Sequence, residues 1–213
     1  MTRPRLVLIH GAATTARIWD RVLPHLDDFA VVRPDRPCSG DLGTEVAALA
    51  DICADAVVAG VSGGATLGLE LAARGVPFRA AVLHEPAAGS LAPGLLAPVA
   101  DALRADGVPG FGRALYGPSW TPADAPQEPG VVHREFAMFR AFEPTPPGPS
   151  GPPVLLTVGA RSPGPRHAAV AALGRHCGLP WATVPDVSHA VHLDAPRQFA
   201  AVIRSHAAGA ARG

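Results

Sequence analysis

The chain has 213 residues and 48% hydrophobic content, enough for one α/β domain with a substantial core and too few for a second full domain. Its 18 Lys+Arg and 18 Asp+Glu balance, and with no basic run or basic-aromatic stripe they exclude nucleic acid and anionic membranes as partners and favour a small neutral substrate. Neither lysine nor asparagine occurs; the first absence rules out Schiff-base chemistry and a Ser-Lys dyad, and together they suggest a GC-rich bacterial coding sequence.

The opening residues Met1 to Leu6 carry charge but no long apolar region or cleavage site, so a cytoplasmic protein is expected. No apolar stretch approaches the roughly 18 residues of a membrane span. Leu6–Ile9 is a short apolar run that enters the turn His10-Gly11-Ala12-Ala13, and Ala30–Arg33 is a second such run. Cys38, Cys53 and Cys177 lack C-x-x-C or metal-ligand spacing and are expected to be free thiols.

Val57–Val61 leads through Gly60-Val61-Ser62-Gly63-Gly64 into a helical stretch that ends at Arg74-Gly75, a cation and a C-cap glycine. This G-x-S-x-G segment has the form of a nucleophile elbow, in which a serine sits on a strained strand-to-helix turn above amide donors. Gly60 and Gly64 leave room for the sharp turn, and Gly63 allows close approach of a reacting carbonyl. Ala80–His84 is the next apolar run and is followed by Glu85.

Residues 86–150 break the alternation of strand and helix and read as an inserted cap of short helices. The cap holds six of the eleven aromatics: Phe111, Tyr116, Trp120, Phe136, Phe139 and Phe142. Val132, Phe136, Phe139 and Phe142 form an apolar stripe at helical spacing, assigned to packing on the core, with some of the aromatic set lining a pocket.

Val154–Val158 and Ala182–Val184 complete six apolar runs that read as buried parallel strands. Asp186-Val187-Ser188-His189 follows the last of them, and Pro196–His206 has the spacing of a terminal helix before an Ala- and Gly-rich tail expected to fray. The pattern is that of a doubly wound, mostly parallel sheet spanning one domain over residues 1–213.

With a His-Gly turn, a serine elbow and a late histidine in this order, the chain resembles the α/β-hydrolase superfamily, and the resemblance runs from about Leu6 to Ile203. It implies that fold with about six strands and no N-terminal hairpin, since five residues precede Leu6. It also implies a serine nucleophile at Ser62, a base at His189 and an oxyanion hole from the Ala12 and Gly63 N–H groups. His10 is expected to hold its loop rather than to move protons. His192, three residues beyond His189, has no partner at metal spacing, so neither metal nor cofactor is expected.

The acid departs from the family. Its usual place is an aspartate in a G-x-x-D turn after Val154–Val158, where this chain reads Gly159-Ala160-Arg161-Ser162. Some members carry the acid after the preceding strand, which makes Glu85 the candidate; Ser162 is then expected to matter little. Asp186 and Asp194 flank His189 but are expected to belong to its loop and to the cap of the last helix.

The implied activity is hydrolysis of a small, mainly apolar ester, thioester or lactone through an acyl-enzyme. A lyase or cyclase using the same Ser and His, or a small-molecule binding protein with a degenerate triad, are the alternatives on this fold. Oligomeric state is not legible.

Overall fold

The computed structural model describes residues 3–211. Six strands form one sheet: β1 (Arg5–Ile9), β2 (Ala30–Val32), β3 (Val57–Val61), β4 (Ala80–His84), β5 (Val154–Gly159) and β6 (Trp181–Val184). Every pairing is parallel, in the order β2-β1-β3-β4-β5-β6. The strands match the apolar runs to within a residue or so at each end. They are not all buried, however. β1, β3 and β4 are buried almost throughout, whereas β2 and β6 lie at the sheet edges and are largely exposed, with Trp181 at 47%.

The α-helices are α1 (Leu42–Cys53), α2 (Gly63–Ala73), α3 (Ala97–Tyr116), α4 (Val131–Ala141), α5 (Gly164–Cys177), α6 (Val191–Asp194) and α7 (Pro196–Ala210). α2 stops where expected: Gly75, at φ +77°, donates to Ala72 O and Val76 donates to Leu71 O, which satisfies the last carbonyls. The tail expected to fray is helical instead, because α7 continues through Ala210. Phe199, Ala200 and Ile203 on α7 are buried, and that apolar face anchors the helix against β4. No helix among the described residues is long and apolar enough to cross a membrane.

Strand order reverses between β1 and β3, so their carboxyl ends part there and leave a crevice. The β3–α2 turn fits beside β1 only because of its glycines. A Cβ on Gly64 would lie 1.9 Å from Ile9 O, and one on Gly60 would lie 2.5 Å from the Gly64 carbonyl. Close packing of turn on strand thus holds Ser62 beside the loop after β1.

The segment between β4 and β5 holds α3, α4 and three short 3-10 turns. α3 is longer than the short helices expected, but Gly107 (φ +61°) breaks it ahead of Pro109. Val132, Phe136, Phe139 and Phe142 are all buried, and Phe136 meets Phe111 edge to face at 4.9 Å.

A buried arginine ties this segment to the sheet. Arg36 Nη1 pairs with Glu45 Oε2 of α1 at 2.7 Å, and Nη2 pairs with Glu135 of α4. Its Nε donates to His10 O at 3.0 Å and Nη2 donates to Gly11 O at 3.2 Å, which fixes the loop after β1. All three charged side chains are fully buried, so removing one partner strands the others without water. Arg36→Met is expected to lower unfolding free energy by about 3–5 kcal/mol in urea denaturation. A loss below about 1 kcal/mol, the scale of an exposed pair, would show that the cluster contributes little.

Candidate active site

Ser62 sits at the end of β3 with φ +58° and ψ −122°, outside the regions that L-residues favour, and is the residue before α2. Such strain persists only where the surroundings impose it, and here the glycine packing around the turn does so. The turn presents Ser62 to a narrow cavity of about 30 Å³. Phe111, Leu115, Phe136 and Phe139 wall it, and Arg166 lines it as well.

The loop after β1 faces the same turn. Ala12 N lies 3.2 Å from where a Cβ on Gly63 would stand, so the two amide positions expected to form the oxyanion hole are neighbours. Side chains of the inserted segment orient this loop: Tyr116 donates to Ala12 O at 3.0 Å, and Trp120 Nε1 donates to Ala13 O at 2.8 Å. The loop's carbonyls at Ala12 and Ala13 are thus taken by these donors, and Ala13 adopts φ +55°. Among the described residues neither the Ala12 nor the Gly63 N–H donates to a turn or loop carbonyl.

His189 is buried in the loop after β6, and its Nδ1 donates to Glu85 Oε2 at 2.8 Å. Nε2 is buried with no hydrogen-bond partner among the described residues. The Tyr116 ring stacks on His189 at 5.6 Å between centroids, and its hydroxyl lies beside the serine turn: a Cβ on Gly11 would stand 2.6 Å from the Tyr116 oxygen and 3.2 Å from Ser62 Cβ. No direct Ser62–His189 hydrogen bond is formed in this resting arrangement, which is common before substrate binds.

Glu85 stands at the end of β4 with φ +48° and is almost wholly buried. Its Oε1 accepts from Gly159 N at 3.0 Å and from the Ser162 hydroxyl. Ser162 thus differs from its expected indifference: from the turn after β5, it donates to Glu85. Arg166 Nε lies 3.3 Å from Oε2, and His84 Nε2 lies 3.6 Å from Oε1. Burial pushes the Glu85 pKa up, but the His189 hydrogen bond and the charges on His189, His84 and Arg166 outweigh it and hold the group well below the usual carboxylate range.

The other flanking candidates lie elsewhere. Asp186 is exposed and pairs with Arg161 at 3.4 Å. Asp194 accepts from Ser119 at 2.7 Å instead of capping α7. His192 is buried between Trp19 and Tyr116, with Nδ1 unpartnered. His10 Nδ1 lies 3.1 Å from Gly11 O and 3.4 Å from Thr14 Oγ1, inside its own loop. No group of three or more His, Cys, Asp or Glu among the described residues is arranged to hold a metal ion, and the three cysteines are free. Sequence reasoning missed Arg166, Ser162 as a donor, and the Arg36 cluster.

The profile of the alpha/beta hydrolase family matches residues 6–202, and the chain belongs to that family of enzymes. Among solved structures it resembles a lipase-esterase related protein from Clostridium acetobutylicum at 11% identity and TM-score 0.78, over 96% of this chain and 95% of that one. A thermophilic esterase from Thermogutta terrifontis gives 20% identity and TM-score 0.75, over 98% and 91%. The enol-lactonase from Burkholderia xenovorans gives 18% identity and TM-score 0.74, over 97% and 92%. No curated protein matches the chain.

Burial and the Arg166 charge push the His189 pKa down to about 4, against the hydrogen bond and charge of Glu85, which raise it. The imidazole is therefore neutral and able to accept a proton at any pH above that value. An NMR titration of the ring protons is expected to give a midpoint near 4 for His189. A midpoint at the unperturbed value of about 6.5 would mean that burial and Arg166 do not act on it in solution.

Proposed function

We propose that the chain is a serine esterase or lactonase that works through an acyl-enzyme, with Ser62, His189 and Glu85 as nucleophile, base and acid. The single observation that carries this reading is the bond from His189 Nδ1 to Glu85 Oε2 at 2.8 Å. It fixes the tautomer, leaving Nε2 unprotonated and unpartnered in a site that also holds a strained serine. The inserted segment 86–150 acts as a cap over the nucleophile.

In this scheme the Ser62 hydroxyl oxygen attacks the carbonyl carbon while its proton passes to His189 Nε2. The oxyanion that develops is received by the Ala12 and Gly63 N–H groups. Collapse expels the alkoxide, which takes the proton from His189; water then attacks the acyl-enzyme by the same route and releases the acid. Glu85 stabilises the transient imidazolium and stays ionised throughout.

Phe111, Leu115, Phe136 and Phe139 line the cavity that Ser62 faces. Its hydrocarbon walls match the apolar substrate expected from the sequence.

Ser62→Ala is expected to cut turnover of activated short-chain esters by more than roughly a thousandfold while thermal unfolding stays close to wild type. His189→Ala should fall as far and His192→Gln much less, because only His189 bonds to Glu85. Fluorophosphonate labelling of Ser62 tests the covalent step directly. Ligand binding without labelling or turnover would move the chain to the binding-protein class.

A separate pair of substitutions tests the acid. Glu85→Gln should lower kcat by orders of magnitude with little change in KM. Ser162→Ala removes one donor from the carboxylate and should lower kcat by a smaller factor, about three- to thirtyfold, the scale of one charge-assisted hydrogen bond. A nearly silent Glu85→Gln would remove Glu85 from the mechanism.

A further inference from the structure

Arg166 is not accounted for by the triad. It lies in the first turn of α5, its side chain is 12% exposed, and it lines the same cavity as Ser62. The ion pair that it makes is the 3.3 Å contact from Nε to Glu85 Oε2. That carboxylate is already engaged by Gly159, Ser162 and His189. Among the described residues the Arg166 guanidinium makes no hydrogen bond, although it carries five N–H donors in a planar fork.

No Arg166 nitrogen is among the buried atoms left without a partner, so its unbonded N–H groups keep contact with solvent beside a cavity walled by Phe111, Leu115, Phe136 and Phe139, open to an incoming acceptor. A substrate group that accepts from the fork takes the place of that water. A carboxylate fits best, because its two coplanar oxygens match two parallel N–H groups and its charge balances the guanidinium. A phosphate monoester carries about 1.5 to 2 negative charges, more than one guanidinium balances, and a neutral carbonyl leaves the charge unbalanced.

We propose that Arg166 is a specificity residue and that the substrate is a short ester or lactone bearing a carboxylate, such as a dicarboxylic acid monoester, with that carboxylate held by the Arg166 fork. The inference rests on the serine hydrolase reading above and narrows its mainly apolar substrate to one with an anionic end. The carboxylate stands only a few bonds from the scissile carbonyl, since Arg166 touches Glu85 and Glu85 is bonded to His189. Binding also has an effect on the base. The Arg166 charge pushes the His189 pKa down, so balancing it with substrate strengthens the base when the right substrate is present.

The test compares activated aryl monoesters of succinic and glutaric acids with the neutral butyrate and valerate esters of matching length. Wild type is expected to favour the charged esters by about tenfold or more in kcat/KM, mostly through KM. Arg166→Gln should bring that ratio to about one while Ser62 still labels with fluorophosphonate, and Arg166→Lys should restore part of the preference. Where Arg166→Gln does not fold, protection of wild-type Ser62 from labelling by free glutarate is the deciding measurement, and absence of protection overturns the proposal. A wild-type preference for the neutral esters, or an equal loss on both series in Arg166→Gln, also overturns it and leaves Arg166 as a positioning residue for Glu85. Loss of the serine reading itself looks different: no Ser62 labelling and no turnover of either series.

Discussion

Glu85 has to remain ionised inside the protein, and most of the candidate site follows from the groups that make this possible. A carboxylate out of water is stable only when its oxygens accept hydrogen bonds and a cation stands nearby. Oxygen Oε1 takes Gly159 N and the Ser162 hydroxyl, both from the end of β5, while Oε2 takes His189 from the loop after β6 and the Arg166 contact from α5. Three segments are thereby drawn to the end of β4. His189 owes its orientation to this arrangement, since its second nitrogen has no other constraint among the described residues.

A second buried charge does the corresponding work on the other side of the nucleophile. Arg36 holds the His10 and Gly11 carbonyls, while Tyr116 and Trp120 hold those of Ala12 and Ala13. Because Glu135, Tyr116 and Trp120 all belong to the segment between β4 and β5, that segment is part of the scaffold that shapes the amide pair beside Ser62. Opening the cavity to substrate is thus constrained, because displacing α4 as a body separates Glu135 from Arg36.

The fold was legible because its determinants are local. Apolar runs of four or five residues, glycines at the β3–α2 turn and the order His-Gly, Ser, His each sit within a few residues of one another. The edge strands misled, because Ala30–Val32 reads as apolar while its place in the sheet leaves it one neighbour and exposed side chains. The tail after His206 misled for another reason: its Ala-rich composition suits a helix once the buried face of α7 has nucleated one. What stayed hidden is long-range. Arg36 and Glu135 are separated by 99 positions, and Ser162 and Glu85 by 77, with no periodicity linking either pair. Glu85 was singled out only because the expected aspartate is missing; Arg166 left no signal in its own neighbourhood.

A carboxylate at the end of β4 reaches the turn after β5 readily on this sheet. β4 and β5 are adjacent and parallel, with His84 in register with Thr157, and Glu85 N donates to Thr157 O at 2.9 Å. The two strand ends are therefore about one interstrand spacing apart, some 4.8 Å. The longer glutamate side chain, turned by its left-handed backbone at φ +48°, extends from the end of β4 toward the turn after β5. It arrives where Gly159 N and Ser162 can donate to it, so the turn makes a polar contact instead of leaving a buried donor unsatisfied. Ser162 is thus a fitted partner of Glu85, and the two positions are coupled: changing either one alters the hydrogen bonding of the other.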